Sequence, residues 1–406
     1  MSPVLGCVAD DYTGGTDVAA AFRRSGLRTV LLFGPPRAGT VVPDSDAVVV
    51  ALKTRSVPAG EAVTASRAVQ DWLTGQGVQR LYFKYCSTFD STDHGNIGPV
   101  ADALAEAAGA RLTVVCPASP EHGRTVYQGH LFVGDRLLSD SPMRHHPLTP
   151  MTDPDLVRVL ARQTPNEVAL VPLQTVERGV EAVRTALTEL EARGVRHAVV
   201  DAVHDGHLTV VAGATTQLPV ITGASGLARA AGALTGVDLL AGDGVPALPP
   251  GPSVVLAGSC SAATLEQVAL ARASMPAHRL APHDSAPAEA LEWLESRLAE
   301  EGRVMIYSSA PPEERSPGAA AFLERALAEV AVRAAELGAG RIVVAGGETS
   351  GAVVNALGVS GAIVGAEADR GVPWLHPTGR ETRPALLLKS GNFGRPDLLV
   401  RATETP

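Results

Sequence analysis

The sequence predicts two α/β domains, each built on a mainly parallel sheet flanked by helices. Three observations support this fold class. The chain has 406 residues, which is more than one ordinary hydrophobic core accommodates. Short apolar segments alternate with longer helical patterns along the whole chain. Aromatic residues make up only 4% of the chain, and its abundant small residues allow helices and parallel sheets to approach closely.

Apolar segments bounded by polar or Gly-rich stretches predict the strands. In the first half they are Val4–Ala9, Ala47–Leu52, Leu81–Lys84, Leu112–Cys116, Val168–Pro172, Ala198–Asp201 and Val220–Thr222. In the second half they are Ser253–Ala257, Arg303–Tyr307, Arg341–Ala345, Gly361–Val364 and Ala385–Lys389. Helical patterns lie between many of them, for example at Glu61–Leu73, Val180–Arg193 and Ala319–Leu337. The alternation is typical of parallel sheets with crossover helices.

A segment rich in Gly and Pro, beginning at Ala241, separates two such α/β patterns. Gly and Pro are typical of interdomain linkers. We therefore predict an N-terminal domain at residues 1–240, a linker at 241–252 and a C-terminal domain at 253–406. A second irregular segment, Ser139–Asp155, lies inside the first half. It is either a surface excursion or a loop that covers a binding site.

Composition and charge exclude several classes of function. The formal net charge of −9 argues against a nucleic-acid partner, although local loops of an acidic protein can still bind anions. The cysteines are scattered without a Cys-x-x-Cys pair, which indicates reduced thiols in a cytoplasmic protein. We predict no signal peptide and no membrane span. The histidines lack metal-ligand spacing, so we expect them to have ordinary polar roles and predict no metal site built from side chains.

Polar clusters follow the predicted strands in both halves. They are at Ala9–Asp17, Leu52–Ser56, Lys84–Asn96, Ala257–Thr264, Tyr307–Pro312, Ala345–Gly351 and Leu388–Gly394. Open parallel sheets bind ligands at the carboxyl ends of their strands. The sequence therefore predicts a binding site at the rim of each domain, with the active site in the cleft between the domains.

The rim of the first domain is charged. It carries Asp10, Asp11, Asp17, Lys53, Arg55, Lys84 and Asp90. Adjacent carboxylates resist ionising together unless cations or hydrogen-bond donors compensate them, and an Asp can then take a proton from a hydroxyl group. The nearby cations would pair with a substrate carboxylate. The alternative is structural: the first two aspartates cap a helix whose first turn contains Asp17.

The rim of the second domain is neutral and rich in glycine and hydroxyl groups. At Arg341–Gly358 an apolar segment breaks at Gly-Gly-Glu-Thr-Ser-Gly and becomes helix-like at once. One interpretation is a strand–turn–helix connection with Thr349 or Ser350 as N-cap. The other is a backbone cradle for phosphate, in which Glu348 would meet Mg²⁺ or ribose hydroxyls. The chain has no G-x-x-x-x-G-K-[ST] motif, and no G-x-G-x-x-G follows the first strand, which disfavours a dehydrogenase.

Longer motifs carry a family resemblance. "ADDYTGGTDVA" resembles the opening signature of the four-carbon acid sugar kinases. "KYCSTFDSTDHGNIGPV", "SPMRHHPLTPMTD", "LAGSCSAATLEQ", "VAGGETSGAVV" and "LKSGNFG" are similar to the 3-oxo-tetronate 4-kinase branch. The resemblance runs in order from Val8 to Gly394. Tyr12 and Gly15 stand where the family more often has Phe and Ala, and Arg370 stands where it usually has Pro.

The resemblance implies that the N-terminal domain binds a four-carbon sugar acid and that the C-terminal domain binds ATP. The implied ATP contacts are Ser259, Gly347, Glu348, Thr349, Ser350 and Gly391. The implied sugar-acid pocket contains Asp10, Asp11, Arg55, Lys84, Ser87 and Asp90, with Asp11 favoured over Asp10 as the base. The implied reaction transfers the γ-phosphoryl group of ATP, with Mg²⁺, to the terminal hydroxyl of a four-carbon keto acid.

Three alternatives remain open at this stage. A D-threonate or D-erythronate 4-kinase would use the same fold, although "CSTFDST" favours the 3-oxo branch. A non-catalytic sugar-acid sensor would keep the binding residues but not turnover. A nicotinamide dehydrogenase is disfavoured by the missing dinucleotide motif. The expected partners are small molecules, with no nucleic acid and no membrane, and the sequence leaves a homo-oligomer open.

Overall fold

The computed structural model describes residues 2–37, 39–146, 149–237, 246–316, 318–379 and 384–404. The chain divides into two compact units, Met1–Ala241 and Gly242–Pro406, which we call unit 1 and unit 2. Of the predicted linker, residues 241–245 lie outside the described residues, and residues 246–252 have no helix or strand. Within the described ranges, no helix is both long and apolar enough to cross a membrane.

Unit 1 alternates strands and helices in the way that its apolar pattern predicts. Its strands are β1 (Leu5–Ala9), β2 (Thr29–Phe33), β3 (Ala47–Ala51), β4 (Leu81–Lys84), β5 (Thr113–Cys116), β6 (Arg124–Tyr127), β7 (His130–Val133), β8 (Arg136–Leu137), β9 (Val168–Val171), β10 (His197–Val200) and β11 (Val220–Gly223). Its helices are α1 (Tyr12–Arg24), α2 (Ala59–Gly75), α3 (Ile97–Ala107), α4 (Leu156–Ala161), α5 (Leu173–Val176), α6 (Val180–Ala192), α7 (Asp205–Ala214) and α8 (Ser225–Ala233).

The main sheet of unit 1 has the strand order β2-β3-β1-β4-β11-β5-β10-β9, and its neighbouring strands are parallel. Every residue of β1 is buried, as expected for a central strand covered by helices on both faces. Ala9 pairs with Ala51 on one side and with Lys84 on the other. The carboxyl ends of β1, β3 and β4 therefore meet at one edge of the sheet.

A small antiparallel sheet, in the order β6-β7-β8, is attached to the rest of unit 1 by backbone hydrogen bonds, among them a reciprocal pair between Val126 and Ala202, and by one buried carboxylate. Asp201, at the end of β10, accepts hydrogen bonds from the backbone N–H groups of Gln128 and Gly129 in the β6–β7 turn. It also accepts one from the N–H of Leu173, at the start of α5. This side chain therefore joins the small sheet to the main one.

Unit 2 repeats the architecture with an antiparallel addition. Its strands are β12 (Ser253–Ala257), β13 (Ala277–Arg279), β14 (Arg303–Tyr307), β15 (Arg341–Ala345), β16 (Gly361–Asp369), β17 (Val372–Pro377) and β18 (Ala385–Lys389). Its helices are α9 (Ala262–Arg272), α10 (Ala286–Glu301), α11 (Ala320–Glu336), α12 (Gly347–Ala356) and α13 (Leu398–Arg401). The strand order is β13-β14-β12-β15-β18-β17-β16, parallel up to β18 and antiparallel beyond it.

The predicted fold class is confirmed, and each predicted strand is present with shifts of one residue or less at its ends, except that the strand predicted at Gly361–Val364 continues to Asp369 as β16. Six strands have no counterpart among the segments predicted from sequence: β2, β6, β7, β8, β13 and β17. β13 is three residues long and only partly buried, so it has no apolar segment to reveal it. β17 begins "VPW" and ends in Pro, a composition that is unusual for a strand. It is tolerated here because Pro373 lies opposite Glu367, where the pairing with β16 is irregular, and Pro377 is the last residue of the strand.

Candidate active site

The two aspartates that follow β1 are held by one arginine. The Nε and Nη2 atoms of Arg55 donate to the two carboxylate oxygens of Asp10, over 2.9 and 2.8 Å. Nη2 also donates to Oδ1 of Asp11 over 2.6 Å. Arg55 Nη1 lies 3.6 Å from Asp90 Oδ2, farther than a normal hydrogen bond. Arg55, predicted to pair with a substrate carboxylate, is thus used largely by the protein's own carboxylates in this structure.

The loop that carries Arg55 is held in place by hydrogen bonds from the side-chain amide of Asn96. The side-chain nitrogen of Asn96 donates to the backbone carbonyls of Thr54 and Val57, over 2.7 and 2.8 Å. Asn96 is buried and immediately precedes α3. It therefore connects the loop after β3 to the segment after β4. Sequence reasoning did not single out Asn96, because its partners are backbone atoms distant in sequence.

Asp10 and Asp11 have different environments although they are adjacent in sequence. Burial raises the pKa of Asp10, and the attraction of Arg55 only partly offsets this effect. Burial acts on Asp11 in the same direction, but Arg55, Lys84 and hydrogen bonds from Thr13 and Gly14 outweigh it and lower its pKa. The Asp11 side chain keeps 23% of its exposure, against 8% for Asp10. Asp11 is therefore the more accessible and the more readily ionised of the two.

The structural alternative for these aspartates holds in part. Asp11 is the N-cap of α1 and accepts a hydrogen bond from the N–H of Gly14. Asp17, which that alternative placed in the first turn, instead lies in the second turn and is buried. Its Oδ2 is 4.0 Å from Nζ of Lys84, the buried residue that ends β4. Lys84 Nζ also donates to the backbone carbonyl of Tyr85.

The remaining residues of the predicted sugar-acid pocket lie in the loop after β4. Asp90 is buried and accepts a 2.6 Å hydrogen bond from the hydroxyl of Thr88. Between them, Phe89 adopts a φ of 62°, a left-handed conformation that is strained for a residue with a bulky side chain. Ser87 is partly exposed in the same loop. Strain of this kind is concentrated at functional sites, so it supports the assignment of this loop.

The irregular segment Ser139–Asp155 contacts this loop through a methionine. Met151 is buried, and its sulfur accepts a hydrogen bond from the backbone N–H of Ser91 over 3.3 Å. Residues 147 and 148 lie outside the described residues. Of the two interpretations offered for this segment, the contact favours a loop that lies against a binding site.

In unit 2, three turns converge at the carboxyl ends of β12, β15 and β18. The N–H groups of Gly258 and Ser259 donate to the carbonyl of Ala345, and the N–H of Gly346 donates to the carbonyl of Lys389. A side-chain carbon added at Gly391 would lie 2.4 Å from the Ser259 hydroxyl. The predicted ATP contacts Ser259 and Gly391 are therefore packed against each other, with no space for a larger residue at Gly391.

The turn after β15 differs from the prediction that Thr349 or Ser350 caps a helix. α12 begins at Gly347, and its N-cap is Gly346, whose φ of 131° requires glycine. The prediction of a later cap is wrong, because Thr349 and Ser350 lie within the first turn of the helix. Thr349 and Ser350 are buried, whereas Gly347 and Glu348 are exposed at the helix N-terminus. The exposed first turn is the part that can present backbone N–H groups to an anion.

A pocket of about 200 Å³ opens beside these turns within unit 2. Its lining includes Gly258, Cys260, Leu280, Pro282, Ala310, Leu323, Glu324 and Thr349. The exposed wall area is more apolar than polar, and the lining also contains two serines and the ion pair of Arg279 with Glu314, a mixture that is usual in a small-molecule pocket. Arg315 closes one side by donating to the carbonyls of Ala310 and Cys260.

Comparisons with known proteins agree with this division. Residues 5–231 match the model of a sugar-binding N-terminal domain, and residues 254–399 match that of a nucleotide-binding C-terminal domain. A 3-oxo-tetronate kinase of Burkholderia multivorans is 48% identical, over 98% of this chain and 96% of its own. The chain belongs to the 3-oxo-tetronate kinase branch of the four-carbon acid sugar kinases.

Two further relatives extend this result. A 3-oxo-tetronate kinase of Methylobacterium radiotolerans is 49% identical, over 100% of this chain and 99% of its own. A crystal structure from Salmonella typhimurium LT2, of a protein provisionally named a tRNA synthase, superposes with a TM-score of 0.87. It is 42% identical and covers 98% of both chains. The family membership makes the protein a kinase, that is, a phosphotransferase with an alcohol group as acceptor.

Proposed function

We propose that this protein is an ATP-dependent kinase that phosphorylates the 4-hydroxyl of a 3-oxo-tetronate in sugar-acid catabolism. One observation carries the proposal: relatives 48% and 49% identical over nearly the whole chain share the name 3-oxo-tetronate kinase. In the reaction, the 4-hydroxyl oxygen forms a bond to the γ-phosphorus. The bond from that phosphorus to the β–γ bridging oxygen breaks and releases ADP, and the hydroxyl proton goes to a carboxylate.

The nucleotide half of the proposal is assigned to unit 2. The exposed N–H groups at the start of α12 and the turns at Ser259 and Gly391 suit a polyphosphate. The glycine at 391 supports this assignment, since a side chain there would collide with Ser259. The neighbouring apolar pocket suits a nucleoside. Ser259, Gly347, Glu348, Thr349, Ser350 and Gly391 remain the proposed nucleotide residues. Thr349 is buried but lines the neighbouring pocket, whereas the fully buried Ser350 would act by shaping the turn.

The sugar-acid half of the proposal is assigned to unit 1. Asp11 is the proposed base, because it is ionised and partly exposed, and phosphoryl transfer demands little basicity. Asp10 would position Arg55, whose Nη1 is the edge less engaged by the protein. Lys84, Ser87 and Asp90 would complete the pocket. Their carboxylate and hydroxyl groups suit the hydroxyl groups of a sugar acid.

Mg²⁺ would arrive with the nucleotide. Across the part of the chain that the structure describes, no three His, Cys, Asp or Glu side chains gather closely enough to hold a metal ion. Mg²⁺ is commonly bound through substrate phosphates, waters and only one or two carboxylates, so the residues present fit this mode. When bound, it would neutralise the charge of the phosphates. Glu348, exposed in the first turn of α12, is the carboxylate proposed to approach it or the ribose.

The decisive experiment measures ADP formation, with Mg²⁺, on a panel of acids. The panel contains 3-oxo-tetronates generated in situ, D-threonate, L-threonate and D-erythronate. We expect turnover with the 3-oxo acids at least 100-fold faster, as kcat/KM, than with the reduced acids. A preference for D-threonate or D-erythronate would support the kinase activity but would replace the proposed substrate by the alternative one. ATP binding without turnover of any acid would favour the sugar-acid sensor.

Two wider parts of the proposal rest on the sequence. A cytoplasmic location is supported by four scattered cysteines, which are free thiols in the structure. Small molecules are the proposed partners, and the net charge of −9 disfavours the nucleic-acid substrate that a tRNA synthase would need. A homo-oligomer remains open.

A further inference from the structure

The chain contains three lysines, at positions 53, 84 and 389, although lysine and arginine together number 34. Arginine therefore supplies nearly all of its cations. Lys84 ends β4 and Lys389 ends β18, and Lys53 follows β3 by two residues. All three lie at strand ends where binding is proposed. An ammonium group differs from a guanidinium in being compact and able to lose its proton, so these positions call for properties that arginine lacks.

Lys389 is fully buried and bonded to neutral groups. Its ammonium donates to the hydroxyl of Thr264 over 2.9 Å, to Oε1 of Gln267 over 2.6 Å and to the carbonyl of Gly391 over 3.0 Å. Each of the three N–H groups of the ammonium therefore has a hydrogen-bond acceptor. The hydrogen bonds satisfy the group geometrically, but none of these partners carries the negative charge that would compensate a buried cation.

This cluster fixes the orientation of one peptide in the turn after β18. The carbonyl of Gly391 accepts hydrogen bonds from Lys389, Ser261 and Thr264. A trans peptide points its C=O and its N–H in opposite directions, so the N–H of Asn392 points away from the cluster. Gln267 holds the next part of the turn through the carbonyls of residues 393 to 395. The backbone carbonyl of Lys389 meanwhile accepts from the N–H of Gly346.

We propose that Lys389 is a positioning residue of the nucleotide site, whose ammonium orients the Gly391–Asn392 peptide toward the phosphates and gains its compensating charge when they bind. This inference rests on the proposed function, because it requires a nucleotide at these turns. It assigns Lys389 a role through Gly391 rather than direct contact with the substrate.

The titration of Lys389 provides the readout. Burial lowers the pKa of Lys389 to about 7. Phosphate charge nearby favours the ammonium form, so nucleotide binding should raise this pKa and take up a proton. Nucleotide affinity should accordingly fall as the pH rises through the value of the free protein. On the packed elements, Glu266 of α9 and Glu348 of α12 are at exposed positions, and Asp369 is paired with Arg395 and Arg401.

The first test observes the ammonium directly. Protein labelled with ¹³Cε and ¹⁵Nζ in lysine gives signals from only three side chains, which Lys53→Arg and Lys389→Met would assign. We expect the Lys389 signal to titrate near neutral pH and its midpoint to rise by about one pH unit when ADP saturates the protein. An unchanged midpoint in protein that binds ADP would overturn the inference alone. Failure of the wild-type protein to bind ADP would overturn the proposed function as well.

The second test compares two variants in ADP titrations at pH 6.5 and 8.5. Lys389→Met removes the charge, whereas Ser261→Ala removes a neutral donor to the same carbonyl and leaves all three hydrogen-bond acceptors of Lys389 in place. We expect Lys389→Met to weaken ADP binding roughly tenfold at pH 6.5 and much less at pH 8.5. Ser261→Ala should weaken it by a similar factor at both values. Because ADP itself titrates equally in all three proteins, equal pH profiles for the wild-type protein and Lys389→Met would refute the role of the charge.

Discussion

The proposed binding regions of units 1 and 2 occupy equivalent places, at the carboxyl ends of parallel strands, but they are built from different groups. In unit 1 four carboxylates lie near two cations, and Arg55 connects three of those carboxylates. In unit 2 the groups are glycine turns and hydroxyls, with one buried lysine behind them. The difference matches the ligands proposed: polar groups of a small acid need directional side chains, whereas a polyphosphate can be held by backbone N–H groups.

The largest effect is expected from removing the arginine of the charged region in unit 1. Arg55→Met leaves Asp10 and Asp11 close together without their cation, so we expect a loss of about 3 kcal/mol in the free energy of unfolding and loss of turnover. Chemical denaturation and the kinase assay would measure both. Arg158→Met is the matched control, since Arg158 also pairs with two aspartates, Asp153 and Asp155, but its own side chain is more than half exposed. A similar loss of stability in both variants would contradict the view that Arg55 holds buried carboxylates together.

An intermediate effect is expected from closing the glycine turn of unit 2. Gly391→Val places atoms against the Ser259 hydroxyl, so we expect ATP binding to weaken at least tenfold while sugar-acid binding stays within twofold. Isothermal titration with each ligand separates the two. Gly60→Ala is the control, because a side chain there meets no atom within 4 Å. If Gly391→Val bound ATP normally, the assignment of the turn at Gly391 to the nucleotide site would be wrong.

The smallest expected effect distinguishes the two adjacent aspartates by pH. The lowered pKa of Asp11 makes its contribution to stability present above its ordinary value of 3.8 and lost as the pH falls below it. Asp10, with a raised pKa, contributes stability at low pH that is lost as the pH rises through its folded value. The stability deficit of Asp11→Asn should therefore shrink on acidification, by an amount on the order of 1 kcal/mol.

Urea denaturation between pH 2.5 and 7 would check this. Asp10→Asn should show the opposite trend, since asparagine resembles the protonated acid that burial favours at that position. Parallel trends in the two variants would mean that Asp10 and Asp11 share one environment, contrary to the structure.

The gathering of polar residues at the carboxyl ends of the strands was predictable from sequence, because local patterns suffice to recognise the strands and the polar segments that follow them. Asp10, Asp11, Arg55, Lys84 and Asp90 do gather at one edge of unit 1. Their partners were not predictable, since Arg55 could have faced solvent or a ligand as easily as its own aspartates. Pairing depends on side-chain directions that a sequence does not specify.

In unit 2, local backbone geometry and burial could not be predicted from the sequence. The glycine pair at 346 and 347 predicts a turn. Which of the two glycines adopts a positive φ depends on where the helix begins, and in the structure it is Gly346. Lys389 was visible only as a member of a motif. Its burial depends on Thr264 and Gln267, two residues of α9 that come more than 120 positions earlier.

The carboxylate of Asp201 has a consequence for the order of folding. It ends β10, yet its hydrogen-bond donors include Gln128 and Gly129, more than 70 residues earlier in the chain. The β6–β7 hairpin can form from local contacts, and its backbone bonds to Pro154 and Leu156 need only the segment that follows it, but its bonds to Asp201 form only after β10 has joined the main sheet. During synthesis about 70 further residues emerge before this carboxylate can accept from Gln128 and Gly129, so a late segment completes the docking of an early one.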